Sequence, residues 1–236
     1  MRTKQLFKLI VGLQPPSKLK NRLLTLFGCQ VDYSSIVGPV LIWKVRELVI
    51  GPGAVIKGFN VLRNLELCEF GANSVVGQWN WISAAPFLVA PSSNPNAGNF
   101  RLGYESSLTS RHYIDASGGV QIGEFSTIAG VRSTFMSHAI DVEANEMTTG
   151  SIIVESYSMV GSNVKLVMGA SVPARSIVAM GSIVTPGLTE TDRLYAGSPA
   201  VAKKVLNPAG YMVRQTGRVY AQGDPRTTPS PRRIGY

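Results

Sequence analysis

Two histidines, His112 and His138, are the only imidazoles in the 236-residue chain, and both lie near carboxylates. Asp115 lies 23 residues before His138, and Asp141 lies three residues after it. A neutral imidazole, with an ordinary pKa of about 6.5, is suited to accept the proton of an attacking alcohol. We therefore predict that His138 is a general base. Asp115 is predicted to orient that imidazole or a substrate, with a turn-capping role as the alternative.

The sequence gives little support for a catalytic metal site, a disulfide framework or a phosphate-binding loop. Two histidines without a cysteine cluster fall short of the ligands that a catalytic zinc site needs, so we expect no metal. Cys29 and Cys68 predict reduced thiols rather than a disulfide framework. The sequence has no glycine-rich phosphate loop.

The elements that position these residues follow a six-residue repeat in the second half of the chain. An aliphatic residue occurs at every sixth position, at Val154, Val160, Leu166, Val172, Val178 and Val184. A period of six fits neither an amphipathic helix nor a simple strand. It fits a solenoid in which each unit forms one short strand and one corner. The repeat therefore predicts an all-β fold, a parallel β-helix with about eighteen residues in each coil.

The repeat also divides the chain into segments. It is weak at Ile36, Ile42 and Leu48, shifts by two positions, and continues through Ile50, Ile56 and Leu62, and later through Ile122, Ile128 and Thr134. We predict a basic amphipathic helical segment at 1–30, the β-helix at 31–192 with excursions at 83–108 and 139–151, a turn and a short helix at 193–206, and a basic, disordered tail at 207–236.

The net charge of +9 is concentrated at the two ends. Residues 1–22 carry +6 and residues 207–236 carry +4, which leaves the middle of the chain nearly neutral. A neutral core argues against nucleic-acid binding, whereas the basic ends suit an acidic partner or an anionic membrane surface. We expect the N-terminal helices to cap the solenoid, to lie on a membrane, or both. No membrane-spanning run or signal peptide is predicted, and a cytoplasmic location is expected.

Residues 109–206 resemble a specific family. The motifs are Ile122-Gly123 followed by His138 sixteen residues later, the Val160-Gly161-Ser162 and Ala179-Met180-Gly181-Ser182 repeats, and the turn Ala196-Gly197-Ser198-Pro199-Ala200. This ordered set is similar to the hexapeptide-repeat O-acetyltransferases of the maltose, galactoside and nodulation-factor type and to their exopolysaccharide branch, of the colanic-acid type. The resemblance implies a left-handed β-helix, a homotrimer with active sites between subunits, and acetyl-CoA-dependent acyl transfer to a sugar or glycan in polysaccharide biosynthesis.

The resemblance also implies roles for individual residues. His138 corresponds to the catalytic histidine. His112 lies close to a family asparagine that binds the acceptor or the oxyanion, but a histidine departs from that pattern, so substrate contact and a structural role both stay open for it. Donor contacts are implied for Ser162, Met180, Thr185, Lys203 and Lys204. Pro186 and Val201 replace a lysine and an arginine of the family pattern. Trp81 offers an aromatic face for a sugar ring, with core packing as the alternative, and Asp141 is a weaker substrate candidate. The alternative function is an inactive β-helix that serves as a scaffold or binding module.

Overall fold

The computed structural model describes residues 2–222 and 224. The chain folds as a parallel β-helix that is preceded by two helices and interrupted by two excursions. In chain order the elements are α1 (Arg2–Gly12), α2 (Lys18–Leu26), β1 (Gln30–Val31), β2 (Ile36–Val37), β3 (Val40–Trp43), β4 (Glu47–Ile50), β5 (Val55–Ile56), β6 (Asn60–Arg63), β7 (Leu67–Phe70), β8 (Val75–Val76), β9 (Trp81–Ser83), α3 (Pro86–Val89), β10 (Asn99–Leu102), β11 (Ser107–Ser110), β12 (Tyr113–Asp115), β13 (Val120–Ile122), β14 (Thr127–Val131), β15 (Thr134–Met136), β16 (His138–Asp141), β17 (Glu146–Thr149), β18 (Ile152–Val154), β19 (Met159–Val160), β20 (Lys165–Leu166), β21 (Ser171–Val172), β22 (Ile177–Val178), β23 (Ile183–Val184), β24 (Arg193–Gly197), β25 (Ala200–Val205) and a 3-10 turn (Gly210–Val213).

Three sheets form the sides of the β-helix. Sheet A has the order β1-β4-β7-β10-β13-β18-β21, sheet B the order β2-β5-β8-β11-β14-β19-β22-β24-β25, and sheet C the order β3-β6-β9-β12-β15-β20-β23. All neighbouring strands are parallel except β24 and β25, which form an antiparallel hairpin. The chain visits sheets A, B and C in turn, so each coil has an A-to-B, a B-to-C and a C-to-A corner.

The predicted repeat anchors form the core of the last coils. Val154, Val160, Leu166, Val172, Val178 and Val184 are all fully buried. Partner residues in these coils are 18 positions apart, as in the pair Val160 and Val178. One buried aliphatic side chain from each short strand therefore fills the interior, as the six-residue period predicts.

The earlier coils are longer than the repeat predicts. Partner residues such as Ile50 and Phe70 lie 20 positions apart. The shift of two positions seen near Leu48 recurs between sheets C and A, because strands such as β4 and β6 have four residues instead of two. The C-to-A corner is consequently wider in these coils than at the end of the β-helix.

Two anchors predicted in these coils are wrong by one position. Ile36 is exposed while Val37 is buried, because the partners Val37 and Ile56 are only 19 positions apart. Thr134 is partly exposed while Phe135 is buried, because β14 contains a register shift opposite Ser110. In both cases a change of one residue at a corner moves the inward position by one.

The terminal segments lie where they were predicted, but part of their secondary structure differs from the prediction. Helices α1 and α2 contribute Val11 and Leu24 to the core and contact β3 and β1. The helix predicted within 193–206 is wrong, because these residues form the β24–β25 hairpin, which extends sheet B.

Residues 210–222 lie along the β-helix: Tyr211 Oη donates a hydrogen bond to Ser158 O at 3.2 Å. The prediction of disorder is therefore wrong for this part, and 225–236 lie outside the described residues.

Both predicted excursions are present, but the first is shorter than predicted. Residues 84–98, which contain α3, form the first, because β10 and β11 already belong to regular coils. The predicted span of 83–108 is therefore too long. The second excursion is the antiparallel hairpin of β16 and β17, in which His138 pairs with Thr149. Both excursions leave the β-helix at a C-to-A corner.

Candidate active site

His138 and Asp115 lie together at the C-to-A corner. Asp115 ends β12 and pairs with Met136 of β15, two residues before His138. His138 Nδ1 and Asp115 Oδ2 are 2.8 Å apart, and their side chains are 25% and 8% exposed. A separation of 23 residues in the sequence therefore becomes direct contact, because one coil plus the corner covers that length.

The carboxylate of Asp115 is held by four further hydrogen bonds from two buried serines. The backbone N–H and the hydroxyl of Ser117 donate to Oδ1 at 3.2 and 2.5 Å. The backbone N–H of Ser137 donates to Oδ2 at 3.0 Å, and its hydroxyl shares one proton between Oδ2 at 2.9 Å and the backbone oxygen of Asp115 at 2.8 Å. Neither serine was predicted as a site residue, although both lie next to predicted ones, Ser117 two positions after Asp115 and Ser137 before His138. These donors fix the carboxylate, and the carboxylate fixes the imidazole.

The hydrogen bond to Asp115 also selects the tautomer of His138. An ionised carboxylate only accepts hydrogen bonds, so Nδ1 carries the proton and donates it. Nε2 then carries the free lone pair, and no group of the described residues hydrogen-bonds to it. An oriented and partly exposed imidazole whose Nε2 has a free lone pair is equipped to accept a proton from a substrate.

The two excursions form a cleft whose lining includes Thr149, the strand partner of His138, but neither His138 nor Asp115. Ser92 Oγ lies 3.3 Å from Thr149 Oγ1, and Asn94 Nδ2 donates to Gly118 O at 2.7 Å. Because Thr149 pairs with His138, these contacts join the first excursion to the strand next to the imidazole. The cleft is lined by Phe87, Leu88, Pro91 and Ser92 of the first excursion and by Glu146, Met147 and Thr149 of β17.

Trp81 lies on β9 of sheet C, and Asp141 lies in the β16–β17 hairpin. Trp81, 38% exposed, is on the outer face of sheet C, where its Nε1 donates to Ser83 Oγ at 2.9 Å. Its ring is nearly parallel to that of Tyr113, with centroids 6.5 Å apart. Core packing, the alternative for Trp81, is not observed. Asp141 is exposed at the turn of the hairpin, where Oδ1 accepts hydrogen bonds from the N–H groups of Glu143 and Ala144.

His112 lies inside the β-helix and is only 1% exposed. Its Nδ1 accepts a hydrogen bond from Ser133 N at 3.1 Å, and its Nε2 lies 2.9 Å from Thr109 Oγ1. Burial lowers the pKa of His112 to about 4, so the ring is neutral at pH 7. Both ring nitrogens are occupied and the side chain is enclosed, so of the two roles left open for His112 the structural one fits and substrate contact does not.

The residues predicted to contact the donor are divided between corners. Ser162 and Met180 lie at the B-to-C corner, and Met180 is 75% exposed. Thr185 follows β23 at the C-to-A corner, on the side of His138. Lys203 and Lys204 are exposed on β25. One chain therefore does not bring Ser162 and Met180 to the corner that carries His138.

Residues 2–222 and 224 contain no group of three or more His, Cys, Asp or Glu side chains arranged to hold a metal ion. In the same residues no helix is long and apolar enough to cross a membrane.

Comparison with known proteins finds similarity at the level of structure. No protein-family model and no curated protein sequence matches the chain. The polysialic acid O-acetyltransferase OatWY is 14% identical, with a TM-score of 0.50 over 85% of this chain and 90% of its own. A point mutant of AntD, an N-acyltransferase from Bacillus cereus in complex with dTDP and coenzyme A, is 16% identical, with a TM-score of 0.52 over 71% and 81%.

A third solved structure is the hexapeptide-repeat containing acetyltransferase VCA0836 from Vibrio cholerae. It is 21% identical over 59% of this chain and 74% of its own, with a TM-score of 0.48. At these identities the comparisons bear on the fold. The fold is that of the hexapeptide-repeat acyltransferases, a left-handed parallel β-helix, as the sequence predicts.

Proposed function

We propose that this protein is an acetyl-CoA-dependent O-acyltransferase that modifies a hydroxyl group of a sugar or glycan. The observation that carries the proposal is the hydrogen bond of 2.8 Å between Asp115 and His138. Thr149, the strand partner of His138, lines an open cleft between the excursions. The solved structures of the same fold add support, since AntD is described with bound coenzyme A and OatWY as acting on polysialic acid. In this proposal acetyl-CoA is a co-substrate and no metal takes part.

His138 is the general base in the proposed mechanism. Its Nε2 removes the proton of the acceptor hydroxyl while that oxygen attacks the thioester carbonyl. The C–O bond of the new ester forms, the C–S bond of the thioester breaks, and the imidazolium returns its proton to the leaving thiolate. Asp115 keeps Nδ1 protonated and stabilises the imidazolium, in the same way as the carboxylate of a Ser-His-Asp triad.

The acceptor is proposed to occupy the cleft between the excursions. Trp81 presents an exposed aromatic face, of the kind that packs against sugar rings, and Tyr113 extends it along sheet C. The pair Ser83 and Asp115 lies two residues further along the same two strands, which brings this aromatic surface next to the base. Asp141, at the exposed turn of the hairpin, is a further acceptor contact in this proposal.

The donor site is proposed to form between subunits of a homotrimer. Ser162 and Met180 lie at a different corner from His138, so a neighbouring copy has to supply them to the cleft. Thr185 belongs to the corner of His138 itself, and Lys203 and Lys204 are exposed cations that suit the phosphates of coenzyme A. This arrangement agrees with the trimer implied by the family resemblance. We place the reaction in the cytoplasm; contact with a membrane does not follow from this chemistry.

The test is release of free thiol from acetyl-CoA in the presence of a panel of nucleotide sugars and short glycans. We expect acceptor-dependent release that falls by about 10²- to 10⁴-fold in His138→Ala, the range for loss of a general base. Glu143→Ala, which changes an exposed residue of the same hairpin, is the matched control and is expected to keep full activity. Both variants should unfold at the temperature of the wild type.

Two results would count against the proposal. Near-normal turnover by folded His138→Ala would remove the general-base mechanism. Absence of release with every acceptor, together with no binding of acetyl-CoA by calorimetry, would favour the inactive scaffold.

A further inference from the structure

Several large apolar side chains of the two N-terminal helices are exposed, while Val11 and Leu24 pack into the core. Leu6, Ile10 and Leu13 follow the spacing of one helix face and are about half exposed. Leu19 and Leu26, seven residues apart on α2, are 65% and 76% exposed. Phe7 of α1 stacks on Phe27 with ring centroids 4.9 Å apart, which joins the two apolar faces. We call the surface formed by Leu6, Phe7, Ile10, Leu13, Leu19 and Leu26 the outer apolar face.

The side of α2 that faces the β-helix is unusually polar. Lys20 and Asn21 are each only 2% exposed. Lys20 Nζ donates to the carbonyl oxygens of Gly12, Gln14 and Gly38 at 2.7 to 2.8 Å. Lys8 on α1 is buried as well. A helix that only capped a soluble core would bury its leucines and expose its lysines. On α2, Leu24 is buried in this way, but Leu19 and Leu26 are exposed while Lys20 is buried.

The surroundings of the outer apolar face are positively charged. Lys4, Lys18 and Arg22 are exposed, and the chain contains no acidic residue before Asp32. Lys18 and Arg22 both lie over the ring of Tyr33, itself 54% exposed, at 4.6 and 5.5 Å from its centroid. A second copy of this face would bring like charges together, whereas an anionic lipid surface offers apolar depth below negative headgroups.

We propose that α1 and α2 bind the surface of an anionic lipid bilayer, with the outer apolar face in the acyl region and Lys4, Lys18 and Arg22 at the headgroups. The helices lie in the plane of the interface and do not cross the bilayer. Tyr33 is an aromatic residue of the kind found at membrane–water interfaces, and Phe7 is of the kind found on the apolar face of interfacial helices. The proposal is independent of the acyl transfer chemistry, because it uses no residue of the candidate active site.

The test is co-sedimentation of the full-length protein with vesicles of phosphatidylcholine alone or mixed with phosphatidylglycerol. We expect the partition coefficient to be on the order of tenfold higher for the anionic vesicles and to fall as salt is added. The double variant Leu13→Gln/Leu26→Gln is expected to weaken binding by at least about tenfold, since it removes two large apolar side chains from the bilayer. Lys18→Gln/Arg22→Gln should weaken binding to anionic vesicles only.

Ile36→Thr is the matched control, because Ile36 is an equally exposed apolar residue on β2, outside the helices. Equal binding of the wild type to both kinds of vesicle, or unchanged binding of both double variants, would overturn the proposal. A lower molecular mass of Leu13→Gln/Leu26→Gln in lipid-free solution would also overturn it, because the face would then be a contact between protein chains. Since the substituted side chains are exposed, all variants should keep the melting temperature of the wild type.

Discussion

His112 and His138 stand at two different corners of the β-helix, and their surroundings differ in every respect that decides whether an imidazole acts as a base. The ring of His112 is enclosed and both of its nitrogens have protein partners. The ring of His138 is partly exposed, with Nδ1 held by Asp115 and Nε2 directed to no described group. The corner at His112 buries the ring as part of the packing, whereas the wider C-to-A corner leaves room for a substrate.

The comparison shows that the residue type alone does not determine its role here. The surroundings of the two rings have opposite effects on the protonated form. Desolvation lowers the pKa of His112 so far that a proton on it costs folding energy. The carboxylate beside His138 stabilises the protonated ring that forms during the proposed reaction. One histidine should therefore matter for stability at low pH and the other for turnover.

Acid unfolding tests the first half of this difference and should show the largest effect on stability. Because the pKa of His112 is about 4 in the folded protein and about 6.5 in the unfolded chain, only the unfolded chain binds this proton between those values. The contribution is fully present above about pH 6.5 and is lost as the pH falls to about 4, a change of about 3 kcal/mol.

The measurement is denaturant unfolding of the wild type and of His112→Asn at a series of pH values. Carboxylates titrate in the same range, so the informative quantity is the difference between the two proteins. We expect the stability gap between wild type and variant to shrink as the pH falls through this window. A gap that stays constant with pH would contradict the assignment of a buried neutral imidazole.

Asp115→Asn tests the second half of the comparison. An asparagine keeps the shape of the side chain, but its amide group can donate to Nδ1 and so favour the tautomer in which Nε2 carries the proton. We expect kcat to fall by about 10²-fold, less than for removal of the imidazole, with little change in the KM for acetyl-CoA. Adding His138→Ala to this variant should cost less than it does in the wild type, since the two side chains act as one unit.

A purely structural role for Asp115 would give a different pattern. The melting temperature would then fall while kcat stayed near that of the wild type. If His138→Ala lowered kcat by the same factor in the wild type and in Asp115→Asn, the two side chains would act independently, and Asp115 would not support the base.

Much of the fold was predictable because the last coils repeat without interruption. The six anchors from Val154 to Val184 all lie in the core, as predicted. The errors lie where the chain adds or omits one residue at a corner, as at Ile36 and Thr134, because the period is then lost locally. The β24–β25 hairpin was also missed, since a strand that adds to the end of the β-helix no longer shows the six-residue period.

The candidate site was predictable in part, for a related reason. Asp115 and His138 lie at the same corner, so the length of one coil brings them together. The environment of His112 was not predictable, because it depends on Ser133 in the next coil as well as on Thr109 in its own. The hydrogen bonds from Ser117 and Ser137 to Asp115 were also not predictable, because they form only once the C-to-A corner has folded.

Substitution of these serines gives the smallest expected effect and compares the two corners directly. Ser137 and Ser133 are both fully buried, and each hydroxyl donates a hydrogen bond, to Asp115 in one case and to Gly161 O in the other. Ser137→Ala and Ser133→Ala should each destabilise the protein by about 1 kcal/mol. Only Ser137→Ala should also lower kcat, by a few-fold, because only Ser137 positions the carboxylate that holds His138.

A double-mutant cycle sharpens this last distinction. Once Asp115 is replaced by Asn, the hydroxyl of Ser137 no longer supports an ionised carboxylate, so adding Ser137→Ala should have almost no further effect on kcat. Ser133→Ala should leave kcat unchanged in both backgrounds. If Ser133→Ala lowered kcat as much as Ser137→Ala, the effect would reflect general loosening of the β-helix, and the serine would not be a positioning residue. The two corners would then contribute equally to turnover, and the C-to-A corner would not be singled out as the catalytic site.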